Sequence, residues 1–446
     1  KQKVFQLSIS AWQSYSEQLE PIPLAWLRTA KRKPSQRCAV DESGKSLTNT
    51  QMVAAVAGLS RVLRLAVDQR HVGVLLPAGT TALQAILALL LRGKVIVPLN
   101  HTLPADVFGA TLKATSVQHI VTSRTYRATL SDSGYAIDEL LRDKEIVYLE
   151  DLAGGIPSWR KLLDTIGFRL LPVSWFYGLG GQVLKAEDDA AIMLSENREP
   201  DPLGVLLSHR NIMANCKQMS DVLNTRLDDV ILSCLPLYHP LGLTLTTIMP
   251  LVEGIPMACH GDPLDSLGIA KSVARHRATL LPASPQTLGL YVRNKAIHPL
   301  MLDSLRLVVS GAEPLSDTLR AEFEQKFGKR VYEGYGAAET TTVSTVNVPD
   351  AMDTTDWKVQ QGNIPGTMGM PLPGTCLKIV DEYSGREQPL GTDGMLLVCG
   401  GQVMSGYLDA PERTAAAIFE IDGQRWFRTG RIGHLTEEGF LVLRQL

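Results

Sequence analysis

The chain has 446 residues, 44 Lys plus Arg against 46 Asp plus Glu, a formal charge of −2 and 45% hydrophobic residues. At roughly 150 residues per domain this length implies about three domains or subdomains, which excludes a single small binding module. The near-neutral balance carries no basic surface for nucleic acid and no charged tail, and the apolar share excludes disorder for the bulk of the chain.

The first residues, Lys1 to Leu7, lack the long apolar run of a secretory signal. A helix-period stretch at 50–65 precedes a strand-like run at 71–76, and a second at 81–91 precedes 95–99. After the glycine cluster at 178–181 the pattern resumes with a strand at 190–194, a helix at 211–223, a strand at 230–234, a helix at 243–252 and a strand at 255–259. This alternation predicts an α/β fold of two doubly wound, parallel-sheet lobes, over 1–182 and 183–362. From about Pro365 short strands punctuated by Gly and Pro predict a small antiparallel β-rich subdomain over 363–446. The most apolar runs, 83–91 and 241–252, are well short of the roughly 20 residues that span a bilayer, and they read as buried helices. Nothing reads as a convincing amphipathic anchor. The six cysteines are widely spaced without a Cys-x-x-Cys pair, as suits reduced core thiols in a cytosolic protein.

Four segments carry residue types suited to chemistry. Leu235-Pro-Leu-Tyr-His-Pro-Leu-Gly242 places His239 between a strand and a helix, where open α/β sheets bind ligands, although a histidine in an apolar stretch also serves structure. Val308-Val-Ser-Gly-Ala-Glu-Pro-Leu315 ends a strand in small residues before a helix, a turn that lets backbone approach a flat or phosphorylated ligand or that simply connects tightly. Glu333-Gly-Tyr-Gly-Ala-Ala-Glu-Thr-Thr341 gathers an aromatic ring, glycines, a carboxylate and hydroxyls within nine residues, enough to stack a base, touch phosphates and hold a hard cation. Trp426-Phe-Arg-Thr-Gly-Arg431 comes fourth, followed by Gly439-Phe-Leu-Val-Leu443.

In order and spacing these segments resemble the adenylate-forming superfamily of acyl-CoA synthetases, nonribosomal adenylation domains and luciferases, over nearly the whole chain. Leu206-Leu-Ser-His-Arg-Asn-Ile212, Val359-Gln-Gln-Gly-Asn363 and Gly366-Thr-Met-Gly-Met-Pro-Leu-Pro-Gly374 look most like the acyl-[acyl-carrier-protein] synthetase type fused to 2-acylglycerophosphoethanolamine acyltransferases. The resemblance implies the large N-terminal domain of that fold and a carboxylate that attacks the α-phosphorus of ATP with magnesium, then passes its acyl group to a thiol. It implies that His239 lines the acyl and α-phosphate site, Tyr335 stacks on adenine beside Gly336, and Gly311, Ala312 and Glu313 border that base. Glu339 would hold magnesium and Thr340 would bind phosphate. A fatty acid, acyl-carrier protein or CoA, and a fused or associated acyltransferase are the implied partners, with no nucleic acid. The implied location is the cytoplasm, or the inner membrane face through a partner domain. The family's mobile C-terminal domain is expected to be absent after Leu446.

Two departures fall on ATP. The family's Ser-Gly-Thr-Thr-Gly-x-Pro-Lys-Gly phosphate loop is here Ser195-Glu-Asn-Arg-Glu-Pro-Asp-Pro-Leu-Gly204. Pro200 removes an amide donor, Leu203 replaces the lysine, and three carboxylates stand where a triphosphate belongs. Arg431 replaces the aspartate that accepts from both ribose hydroxyls, and guanidinium only donates. A catalytically degenerate module for binding or scaffolding is therefore the alternative to a ligase, and a third reading gives Arg198 or Arg431 another anion. His101-Thr-Leu-Pro-Ala-Asp106 and His260-Gly-Asp-Pro-Leu-Asp265 both spell the His-x-x-x-x-Asp of glycerolipid acyltransferases. Two matches in one chain show how permissive that spelling is, and both read as loop histidines.

Overall fold

Strands from both halves of the chain interleave to form two mixed sheets in the computed structural model, which describes residues 10–12, 14, 19–155, 157–180, 182–195, 203–311, 314–355 and 357–444. Among these residues the first sheet runs Gly406–Tyr407, Gly204–Ser208, Asp189–Leu194, Val95–Pro98, His71–Leu75, His119–Thr122, Glu145–Tyr148. It is parallel from Asp189–Leu194 to Glu145–Tyr148, with two antiparallel strands at the other edge. The second sheet runs Met370–Pro371, Thr345–Val346, Val331–Tyr335, Leu307–Ser310, Leu280–Ala283, Ile231–Ser233, Met257–Cys259, Arg37–Val40, Ser46–Thr48. Its interior pairs are parallel and its outer ones antiparallel.

The expected boundary at 182 does not divide the sheets. Arg37–Val40 and Ser46–Thr48 complete the second sheet, while Asp189–Leu194 and Gly204–Ser208 extend the first. Apolar periodicity reports that a segment is a strand; it carries no information about which neighbour supplies its hydrogen bonds. Within the tail Cys376–Val380, Gly394–Cys399, Gln424–Leu435, Ile418–Ile421 and Leu441–Leu443 pair antiparallel, whereas Met370–Pro371 and Gly406–Tyr407 of the same span join the two large sheets.

Capping explains where the long helices start. Thr48 accepts from the Gln51 amide while the Gln51 side chain reaches back, opening Asn49–Ala66, and Ser208 with Asn211 does the same for His209–Val222. Helix Thr80–Leu91 is apolar on nearly every side because it is buried on nearly every side. It belongs to one core that also takes Trp26, Leu207, Met249 and Phe427, so the lobes share their interior. Among the described residues no helix is long and apolar enough to cross a membrane. Five cysteines are buried and Cys376 is half-buried.

The helix expected at 243–252 is interrupted. It runs as Pro240–Leu243, a wide π turn at Thr244–Ile248, then Met249–Glu253. Thr246 and Thr247 both donate their hydroxyls to the Gly242 carbonyl at 2.8 Å, and Pro250 has no amide to donate. The ladder therefore slips to the bond from the Met249 amide to the Thr244 carbonyl.

Candidate active site

The carboxyl ends of parallel strands from both sheets face one another, and a cavity of about 770 Å3 lies between them. Ala78 and His101 reach it from the loops after His71–Leu75 and Val95–Pro98, Tyr238 and His239 after Ile231–Ser233, Asp262 after Met257–Cys259, Ser284 after Leu280–Ala283, and Gly311 after Leu307–Ser310. This is the edge at which open α/β sheets hold ligands, and the volume suits a small organic molecule. Its lining is drawn from residues 74–311, so the β-rich subdomain contributes nothing to it.

His239 stands at the junction between this cavity and a crevice of about 20 Å3, bordering both. Its Nδ1 accepts the Leu241 amide at 3.2 Å, capping Pro240–Leu243. Burial lowers its pKa to about 4, so near neutrality the ring is uncharged and, with Nδ1 accepting, carries its proton on Nε2. Gly242 is required here: a β-carbon would lie 1.9 Å from the Pro236 carbonyl.

The crevice brings together four sequence-predicted residues, His239, Gly311, Tyr335 and Gly336. Tyr335 ends Val331–Tyr335, next to Leu307–Ser310 in the sheet. A β-carbon on Gly336 would sit 1.5 Å from the Thr342 carbonyl, so the turn closes only on glycine. The Ser310 hydroxyl, in the crevice wall, is buried and has no hydrogen-bond partner among the described residues. The crevice is water-sized as it stands.

Glu339 and Thr340 lie behind that wall and border neither space. Glu339 is 2% exposed and its Oε1 accepts from the Ser195 hydroxyl and from the Tyr407 hydroxyl, the latter at 3.0 Å. The Thr340 hydroxyl accepts the Ala337 amide and donates to the Ala337 carbonyl, both at 3.1 Å, so the turn itself employs it. Thr341 follows at φ +64°, ψ −56°, with the Thr342 amide bonded to the Thr340 carbonyl at 2.7 Å. That is a strained γ-turn on a β-branched residue. The Thr341 and Thr342 hydroxyls pin it, donating to the carbonyls of Gln402 at 2.7 Å and Pro240 at 2.9 Å.

Arg431 does not join this group. It is exposed on Gln424–Leu435 in the β-rich subdomain and borders neither space. Ala312 and Glu313 lie outside the described residues, as do 196–202 of the altered loop.

His101 was missed as a site residue, although it follows its strand as His239 follows its own. Burial lowers its pKa, and its ring meets Tyr126, Tyr135 and Tyr238 edge-on at 6.0, 5.0 and 5.8 Å. Tyr126 and Tyr135 had no signal of this kind, because they come from a helix and the loop after it. His260, by contrast, is 5% exposed and lies 3.3 Å from Asp265 and 3.6 Å from Glu42, a loop-holding arrangement.

A family model described as AMP-binding enzyme matches residues 26–408. The long-chain-fatty-acid–CoA ligase of Salmonella typhimurium is 28% identical over 348 residues, 76% of this chain and 56% of that protein. That of Bacillus subtilis is 30% identical over 262 residues, 57% of this chain and 43% of that protein. The 4-coumarate–CoA ligase 2 of Solanum tuberosum is 26% identical over 345 residues, 76% of this chain and 59% of that protein. The chain thus spans about half the length of the curated relatives it matches. In fold it is similar to ATP-bound MatB from Rhodopseudomonas palustris, with a TM-score of 0.76 at 23% identity over 95% of this chain and 78% of that one. It is likewise similar to the N-terminal domain of FACL13 from Mycobacterium tuberculosis, 0.76 at 20% identity over 96% and 100%.

Proposed function

Because the chain belongs to the AMP-binding enzyme family, we propose that it activates a fatty acid by adenylation, within a ligase that then transfers the acyl group to acyl-carrier protein or CoA. The observation that carries the reading is His239, uncharged and standing where a ligand-sized cavity meets the crevice of Gly311, Tyr335 and Gly336. A fatty chain occupies the cavity. A carboxylate oxygen attacks the α-phosphorus of ATP; the new O–P bond forms as the bond to pyrophosphate breaks, and a thiol later displaces AMP. His239 Nε2–H donates to the negative charge that develops between the two spaces, and a neutral donor fixed by its own cap needs no reorganisation to do so. The unspent Ser310 hydroxyl in the crevice wall is available to a polar group of the ligand that reaches it. Service to lysophospholipid reacylation, with a fused or associated acyltransferase, is the proposed setting.

Glu339, the carboxylate implied for magnesium, does not fit the ion as the chain stands: it is 2% exposed, borders neither space, and its Oε1 already accepts from the Ser195 and Tyr407 hydroxyls. The ribose does not fit Arg431, an exposed donor that cannot accept from a diol. That mismatch, with the acidic loop, favours a second reading: a degenerate adenylation fold kept for binding or scaffolding. Pyrophosphate release that depends on added carboxylate, measured on the full-length protein across chain lengths, separates the two. Release with long-chain acids is expected; none with any acid sinks the ligase reading.

A further inference from the structure

Helix Ser158–Leu170 wears its apolar stripe on the outside. Trp159, Leu162, Leu163, Ile166 and Leu170 recur with the spacing of one helical face, and all five are exposed, Leu170 by 77%. The side turned to the protein carries Asp164, which accepts from Arg61 Nη1 at 3.0 Å, and Phe168, whose ring packs on Phe176 at 5.4 Å. Lys31 fixes the end of the helix by donating to the carbonyls of Arg169 at 2.7 Å and Leu171 at 3.2 Å. The helix is therefore held with its greasy face to water. Helix Val173–Gly180 and the chain after it continue the exposure through Trp175, Leu179 and Val183, the last 79% exposed. Apolar surface on this scale on a monomer marks an interaction face.

Charge identifies the occupant. Between residues 152 and 186 the cations are Arg160, Lys161, Arg169 and Lys185, all exposed. The only carboxylate is Asp164, buried and paired with Arg61. Of the exposed carboxylates just outside this span, Glu150, Asp151, Glu187 and Asp188, Asp151 is paired with Arg124 and Glu187 with Arg210, so on helix Ser158–Leu170 itself the cations Arg160, Lys161 and Arg169 meet no unpaired carboxylate. A second copy of this chain docking on the same face would set these cations against one another, which costs binding. Two tryptophans and a leucine-rich stripe flanked by Arg160 and Arg169 match the interface of an anionic bilayer, where rings and alkyl groups enter the headgroup boundary and the cations meet phosphates.

We propose that the Ser158–Leu170 and Val173–Gly180 helices dock the protein on the surface of a membrane containing anionic phospholipid. The test is co-sedimentation of the chain with vesicles of phosphatidylcholine alone or mixed with phosphatidylglycerol, at low and high salt. Binding to the mixed vesicles, weakened by salt, is expected. Leu162→Glu/Leu170→Glu is expected to abolish it, and Arg160→Glu/Lys161→Glu to lower the partition coefficient by roughly tenfold or more. The replaced side chains already face water, so far-ultraviolet dichroism and unfolding midpoints should match the natural chain. No sedimentation with either vesicle, or equal sedimentation of natural chain and variants, overturns the proposal. So does a concentration-dependent dimer that the leucine variant dissolves while vesicles leave the natural chain in solution, since a second copy is then the occupant.

Discussion

His239 does two jobs that substitution can separate. Its Nδ1 caps a short helix and its Nε2–H is the proposed donor to developing charge. Asn keeps an oxygen able to accept the Leu241 amide but cannot place a proton where the imidazole does. His239→Asn is therefore expected to leave the unfolding midpoint within a few degrees of the natural value while lowering kcat for acyl-dependent pyrophosphate release roughly 100-fold. His239→Ala should lower both. A second histidine reports on the fold alone. His209 is 1% exposed and accepts the Ile22 amide at 3.4 Å, and burial lowers its pKa to about 4 from the usual value near 6.5. The unfolded chain thus binds this proton more readily than the folded one. The stability held above pH 6.5 falls as pH drops toward 4, by about 1 kcal/mol per pH unit across that window. His209→Gln should flatten the slope by about that amount in urea titrations between pH 6.5 and 5; an unchanged slope would mean that the ring is already protonated in the folded state.

The interrupted helix beneath His239 depends on Gly242 as strongly as the histidine depends on its cap. A β-carbon 1.9 Å from the Pro236 carbonyl cannot be accommodated by a rotamer change, because the obstacle is backbone. Gly242→Ala is expected to cost at least about 2 kcal/mol and to widen the gap between His239 and Gly311, seen as a lower denaturation midpoint together with weaker acyl-adenylate binding. This element also shows what was legible beforehand. Strands such as Val95–Pro98, Asp189–Leu194 and Gly394–Cys399 were readable because burial on each face is written in alternating or continuous apolar residues. The βα placement of His239 and Gly311 followed from the same pattern. The π turn was hidden, since Thr246 and Thr247 look like ordinary helix residues until both hydroxyls find the Gly242 carbonyl. The run after Tyr335 was read as ligand-binding hydroxyls, whereas Thr340, Thr341 and Thr342 spend theirs on neighbouring backbone. The stripe on Ser158–Leu170 was periodic in the sequence, but periodicity cannot say which face meets water.

Across the whole molecule, nucleotide binding needs both ends of one ligand held. By the family resemblance, the phosphate end would depend on the loop that begins at Ser195, which bonds to Glu339, and the ribose end on position 431 in the strand Gln424–Leu435. If the resemblance sets these positions against ATP, Glu196, Glu199 and Asp201 would repel a triphosphate and Arg431 would leave a diol without an acceptor. Correcting one end leaves the ligand anchored by the other alone, so the two corrections should act together rather than separately. Arg431→Asp by itself is expected to change Mg-ATP affinity less than about threefold, while the same substitution with a Ser-Gly-Thr-Thr-Gly-x-Pro-Lys-Gly loop should raise it by roughly 100-fold or more, as restored charge-assisted bonds at both ends would. Isothermal calorimetry of the three proteins, with and without a long-chain fatty acid, reads this directly. Tight binding by the natural chain would make its loop a working variant. Binding only after both corrections would mean that the fold has given up its nucleotide while keeping the cavity, and the ligand of that cavity should then bind without ATP.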